Sequence, residues 1–249
     1  MEAAELGLYM FVTCAFATLL QHSSSPVRHL IQNAAARRGL MGLAMGVTIV
    51  AIVTSPWGKQ SGGHFNPAIT VAFYRLGKVE FWDLWFYVAA QFAGAAGGVC
   101  VARLLLRGAL GDRSVHYAVT APGAFGAGIA FGAELAISFV LMITILVTTN
   151  HARLAPYTPY FAGALIAMYM AFETPLSGMS TNPARTFASA LHADYWRALW
   201  VYFVAPALGM LAAGEVFLRN RRGFAPYCGK LHHPNNKRCI FHHAGSTAL

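Results

Sequence analysis

The tripeptide Asn-Pro-Ala occurs twice, at Asn66-Pro67-Ala68 and at Asn182-Pro183-Ala184, and Arg185 follows the second copy directly. Each copy comes after a glycine- and serine-bearing loop, Ser61-Gly62-Gly63-His64-Phe65 and Ser177-Gly178-Met179-Ser180-Thr181. Each also opens a short apolar stretch, 66–74 and 182–190. Proline suits the first position of a helix, and asparagine before it can cap the free N–H groups. Both stretches therefore read as short helices that start at the tripeptide. Such an end carries about half a positive charge, and the asparagine amide adds N–H donors. Arg185, Glu5 and Glu134 are ionisable groups in apolar surroundings, where charge is costly and marks function by default. A carboxylate there suggests a proton relay, and His64 in the first loop titrates near neutrality, as a pH gate would.

The elements that must position these groups are membrane spans. Of the 249 residues, 57% are hydrophobic and 11% charged, against about 25% charged in a soluble domain. With a mean hydropathy of +0.50, this composition excludes an ordinary soluble globule and a disordered chain. Six long apolar segments are predicted as spans, over 5–20, 40–55, 84–106, 128–149, 160–172 and 196–218. Each reaches, or nearly reaches, across ~30 Å of hydrocarbon as a helix. None shows the alternation of a barrel strand. Small residues crowd the third span (Ala89, Ala90 and 94–98), where they let helix backbones approach closely. Each half of the chain thus holds three spans and one short helix, an internal repeat of about 5–106 and 128–218. An odd number of spans per unit inverts the second unit. The N-terminus lacks a basic region and a cleavage site, so the first span reads as retained. The net charge of +9 sits in loops and tail. Its distribution, mainly Arg219, Arg221, Arg222, Lys230, Lys237 and Arg238, predicts cytoplasmic termini.

The paired Asn-Pro-Ala motifs, one per inverted half, with Arg185 after the second, resemble the aquaporin (major intrinsic protein) family over about residues 5 to 218. A bacterial-type member is the expectation. The resemblance implies an all-α membrane protein of six transmembrane helices and two re-entrant half-helices, whose N-termini meet from opposite faces near the midplane. Asn66 and Asn182 would then both donate to one water, breaking its alignment with its neighbours, while two positive helix ends refuse cations. Arg185 would be the cationic side of an outer selectivity filter. By the family's spacing the other filter positions fall on Met170, Met179 and Met45, an unusual methionine-rich set that is flexible and polarizable. Strict water channels usually carry histidine where Met170 stands. Glycerol channels usually carry aspartate where Thr186 stands. Glu5 and Glu134 resemble the family's paired buried glutamates, which brace loop backbone, and Gln91 matches a recurrent glutamine. His64 falls at a pore-lining or loop-bracing position.

The function expected is a passive channel for water, with small neutral solutes such as glycerol or hydrogen peroxide, and not an enzyme. The alternatives are a small-solute facilitator with poor water conduction, or an ion-coupled secondary transporter built on Glu5 and Glu134. Its basic residues flank spans rather than forming one stripe, so no nucleic-acid partner is expected. Lipid, water and copies of itself in a homotetramer are the expected partners, in a plasma or inner cell membrane. Residues 219–249 form a cytoplasmic basic tail with two cysteines and four histidines. Cys228, His232, Cys239 and His242 carry the donor atoms zinc prefers; a merely solvated tail is the other reading. The channel itself would need no cofactor. Cys14 and Cys100 lie within spans and read as small packing residues.

Overall fold

A computed structural model describes residues 1–221 and 225–241. Among these the chain is helical throughout, without strands. The long helices are α1 (Glu2–Gln21) and α2 (Ala34–Thr54), and a short α3 (Pro67–Arg75) precedes α4 (Phe81–Leu106). The second half repeats the order with α5 (Gly126–Thr149), α6 (Thr158–Phe172), short α7 (Pro183–Ala193) and α8 (Leu199–Asn220). Five of these, α1, α2, α4, α5 and α8, are long and apolar enough to cross a membrane. The sixth span, α6, has 15 residues. It is extended by a 3-10 turn at Ala155–Tyr157 and by the short helix Thr174–Ser177.

Packing follows the repeat. α1 lies along α4, and α5 lies along α8 in the same relation; α2 and α6 pair across the two halves. Each short helix packs on the last span of the opposite half, α3 on α8 and α7 on α4. The halves therefore interlock. Helix approach in lipid relies on small residues rather than on hydrophobic burial. The glycines of α4 show this directly. A Cβ on Gly94 would come 2.1 Å from the Ala3 carbonyl oxygen, and one on Gly98 would come 2.1 Å from that of Gly7. Gly97, on another face, meets nothing within 4 Å. Large exposed apolar side chains sit on the outer faces, with aromatic groups at helix starts: Trp82 and Phe86 on α4, Tyr157 and Tyr160 at α6, Trp196 and Trp200 at α8. Such belts mark the membrane–water interfaces.

Residues 227–241 do not form a detached solvated tail. Cys228, Leu231 and Phe241 are buried in the same apolar cluster as the spans. The amide of Leu231 donates to the Gly62 carbonyl (3.0 Å), and that of Tyr227 donates to Asn150 Oδ1 (2.7 Å). Residues 227–241 thus lie against the first Gly-rich loop, on the side of the molecule that also holds the N-terminus.

Candidate functional site

The two loops and two short helices meet in the interior. Asn66 and Asn182 cap α3 and α7 as their sequence position predicts. Asn66 Oδ1 accepts from the Ala68 amide at 2.9 Å, and Asn182 Oδ1 accepts from the amides of Ala184 and Arg185 at 3.1 and 3.2 Å. Their Nδ2 groups cross over. Asn66 donates to the Thr181 carbonyl at 2.8 Å, and Asn182 donates to the Phe65 carbonyl at 2.8 Å. The two carbonyls belong to the residues just before each asparagine, and both residues have left-handed backbone, φ 29° at Phe65 and 55° at Thr181. A side chain adopts that region only where its surroundings enforce it. Here the turn aims each carbonyl at the opposing asparagine. Each amide carries two N–H groups, and one of the two pins the loops together. Both asparagines line a narrow cavity of about 40 Å³, with Tyr9, His64 and Ile145.

The bracing of the two loops is nearly symmetric. Ser61 Oγ donates to Glu5 Oε1 and Ser177 Oγ to Glu134 Oε1, each at 2.7 Å. The phenols of Tyr87 and Tyr202 donate to the Ser61 and Ser177 carbonyls at 2.6 and 2.5 Å. Glu134 also accepts the amides of Ser180 and Thr181, both at 2.7 Å. The matching amides in the first loop do not go to Glu5. His64 and Phe65 donate instead to Glu2, at 3.1 and 2.7 Å, and Gln91 Nε2 joins them at 2.6 Å. Gln91 also donates to Thr70 Oγ1 at 3.0 Å. Glu5 Oε2 has no hydrogen-bond partner among the described residues. The brace expected of Glu5 is thus shared, and its larger part falls to Glu2. The signal was a second acid three residues earlier, on the same helix face.

Arg185 is buried and donates through Nη1 to the Thr120 hydroxyl. It lines a second, more open cavity of about 150 Å³ together with Met170, Met41, Gln21 and Gly178. The filter methionines expected from sequence are not all on that cavity. Met170 is. Met45 lies one turn deeper on α2 than Met41, fully buried, with the Thr13 hydroxyl 3.6 Å from its sulfur. Met179 is buried in the second loop, its backbone at φ 54° and its amide held by Ser177 Oγ at 3.0 Å. Neither Met45 nor Met179 lines either cavity. Residues four apart on a helix share a face at successive turns, so Met41 takes the cavity position on α2.

His64 is enclosed. Its Nδ1 is 3.2 Å from Thr70 Oγ1, and its Nε2 is 2.7 Å from the Gly229 carbonyl. Its ring stacks between Phe73 and Phe241, with centroids 5.0 and 5.3 Å away. The histidine therefore both lines the inner cavity and holds the tail. Leu231 from that tail lines the same cavity. In the tail itself, one correction to the sequence reading is needed. Cys228 and Cys239 come together, with sulfurs 3.2 Å apart, but the imidazole beside them is that of His233, not His232. The chain turns at this point, Asn235 donating to the His232 carbonyl, and the turn presents His233 to the thiols. His242 lies outside the described residues. Burial pushes the Cys228 thiol up, against the pull of the Lys230 amide on its sulfur. Cys14 is buried as expected, whereas Cys100 lies exposed on the outer face of α4.

The family described as Major intrinsic protein matches residues 2–217 of this chain. Aquaporin NIP2-3 of Zea mays is 30% identical over 230 residues, covering 92% of this chain and 71% of that protein. Aquaporin-4 of Bos taurus is 34% identical over 185 residues, covering 72% of this chain and 55% of that protein. Among solved structures, the X-ray structure of the aquaglyceroporin from Plasmodium falciparum superposes with a TM-score of 0.70 at 18% identity. It covers 87% of this chain and 92% of that one.

Proposed function

The chain belongs to the major intrinsic protein family, as a passive membrane channel for water or small solutes and not an enzyme; from that premise we propose that it conducts water together with small neutral solutes such as glycerol or hydrogen peroxide, and excludes protons and ions. The observation that carries this reading is the reciprocal Asn66–Asn182 crossing. It sets two capped helix N-termini, each with a spare amide N–H, on one cavity. A water there accepts from both asparagines and has no lone pair left to accept a proton from the next water in file. A cation meets two positive helix ends and, further along, the Arg185 guanidinium.

Arg185 and Met170 form the filter in this reading, and Met45 and Met179 are packing residues beside it. Thioether side chains contact a solute without competing for its hydrogen bonds. That favours a small neutral molecule and weakens discrimination in favour of water alone. Met170 beside Arg185, a side chain that offers water no strong hydrogen bond, supports a second reading, a solute facilitator with poor water conduction. The protomer would work within a homotetramer, with both termini and the tail on the cytoplasmic side of a plasma or inner cell membrane, as the basic tail suggests.

Stopped-flow light scattering on proteoliposomes tests this, with sucrose and glycerol gradients in turn. It uses the full chain and its Leu231→Ala form, which withdraws the tail side chain from the inner cavity. Water-driven shrinkage faster than in empty vesicles is expected. Fast glycerol entry with shrinkage at the empty-vesicle rate would select the facilitator. No acceleration by either protein under either gradient would overturn the channel reading.

A further inference from the structure

We propose that Cys228, His233 and Cys239 bind a thiophilic divalent cation of the zinc class, and that the bound metal latches the C-terminal segment over the inner mouth and closes the channel. The closure half of this inference rests on the channel reading above; the metal site does not.

The donor set comes first. The two sulfurs are 3.2 Å apart, and the ligand atoms of all three residues lie within 4.8 Å of one another. With Zn–S near 2.3 Å, two thiolates on a tetrahedral zinc stand about 3.8 Å apart, so the site needs only a small adjustment. Three protein ligands of the Cys and His type, with water as the fourth, is a coordination zinc accepts. Support for these ligands is in place around them. The Lys230 amide donates to Cys228 Sγ at 3.4 Å, a contact that favours a thiolate. The His233 ring stands edge-on to Tyr227, with centroids 4.9 Å apart, which fixes its orientation. Lys230 is buried, and its ammonium donates to the Lys237 and Arg238 carbonyls at 3.2 and 3.1 Å and so closes the loop that carries Cys239. Binding releases both thiol protons to solvent. Two thiolates and one divalent cation sum to no net charge, so the basic tail is no barrier to loading.

The consequence lies in what the loop carries. Between the two cysteines the chain places Leu231, 2% exposed, on the inner cavity beside His64 and Asn66. Beyond Cys239 it places Phe241 flat on the His64 ring. Gly229 and Gly62 pack so tightly under Phe241 that a Cβ would reach its ring at 3.0 and 2.6 Å. The segment 227–241 has no regular secondary structure to hold it. A metal that ties its two ends together shortens the free loop and lowers the entropic cost of keeping Leu231 in place.

The test uses the full chain and its Cys228→Ser/Cys239→Ser form, with Co²⁺ and Zn²⁺ as probes. In detergent, the full chain is expected to bind one Co²⁺ with the sulfur-to-cobalt charge-transfer absorption of a thiolate site, displaced by Zn²⁺, and the double serine form to show none. In proteoliposomes loaded with Zn²⁺ on both faces, water permeability of the full chain is expected to fall to the empty-vesicle level and to recover with chelator. The serine form should conduct equally in both conditions. Hydrogen exchange of residues 227–241 gives a readout without conduction, and Zn²⁺ should slow it in the full chain only. Absence of the thiolate band overturns the site. Binding without slowed exchange, or with permeability unchanged, overturns the latch. If no form conducts even with chelator, the channel reading has failed, and slowed exchange still decides whether metal holds the segment.

Discussion

The division of labour between Glu2 and Glu5 sets up a sharp comparison with Glu134, through replacement of each by glutamine. Glutamine keeps the shape and one oxygen but turns the other oxygen into an N–H₂ donor. At Glu134 both oxygens accept: Oε1 takes Ser177 Oγ and the Ser180 amide, and Oε2 takes the Thr181 amide. Whichever way the amide flips, at least one buried backbone N–H faces another donor. A lost hydrogen bond to a charged group costs about 1.5–3 kcal/mol, so Glu134→Gln should destabilise by about that amount. Glu2 has the same geometry, with Oε1 holding the His64 amide and Oε2 holding Phe65 and Gln91, and Glu2→Gln should cost about the same, 1.5–3 kcal/mol. At Glu5 only Oε1 is engaged, by Ser61. The new N–H₂ can occupy the unpartnered Oε2 position, and the cost should be close to zero. Thermal unfolding of the detergent-solubilised variants, read by intrinsic tryptophan fluorescence, ranks the three. Glu2→Gln and Glu134→Gln should melt well below the parent and Glu5→Gln near it. If Glu5→Gln falls as far as Glu134→Gln, or Glu2→Gln does not fall, the assignment of the first loop's brace to Glu2 is wrong.

Arg185→Val removes the cation from the outer cavity and should let protons leak through, seen as faster collapse of a pH gradient in dye-loaded proteoliposomes; Thr120→Val, which removes only the hydroxyl that Arg185 donates to, should leave the vesicles proton-tight, and equal leakage from the two would refute a role for the charge itself. Gly94→Ala drives a Cβ to 2.1 Å from the Ala3 carbonyl oxygen and must separate α1 from α4, whereas Gly97→Ala meets nothing; the first should destabilise by at least the 1–3 kcal/mol typical of about one added methyl in a packed contact, the second should be neutral or gain about 0.8 kcal/mol of helix propensity, and a similar melting temperature for both would refute the close approach of these helices.

What the sequence made legible is what short-range rules govern. Proline after asparagine fixes where α3 and α7 begin, and apolar length fixes the spans. The order of three spans and a short helix, repeated, fixes the interlocked halves. The capping positions of Asn66 and Asn182 followed from these rules, while the meeting of the two helix ends and the place of Arg185 were implied by the family resemblance. The filter methionines were harder, because their placement depends on the rotation of a helix about its axis. A shift of one turn exchanges Met45 for Met41, and nothing in the local residues of α2 distinguishes the two. The brace of the first loop was legible only in part, for a related reason: Glu5 holds Ser61, but Glu2 takes the amides. Glu2 and Glu5 are on one face, and which of them meets the amides depends on how far α1 slides along α4. That is set by Gly94 and Gly98 meeting Ala3 and Gly7. His233 was missed in favour of His232 because metal spacing counted along an irregular chain ignores where the chain turns.

The departures from symmetry between the halves gather at one end of the molecule. Around the second loop Glu134 does the whole work of holding two amides and a serine, and the cavity beyond it opens on Arg185 and Met170. Around the first loop the work is divided between Glu2 and Glu5, and His64, which stands where the second loop has Ser180, turns its Nε2 to the Gly229 carbonyl. An imidazole there provides what a serine or threonine could not: a flat face for Phe241 and a ring nitrogen long enough to reach the tail backbone. The repeat alone requires no such group, since the second loop closes without one. His64 and the space filled by Leu231 are therefore explained by the segment that docks on them, whereas Glu2 holds the first loop itself. The cavity that holds Arg185 and Met170 and the cavity that receives Leu231 share no lining residue.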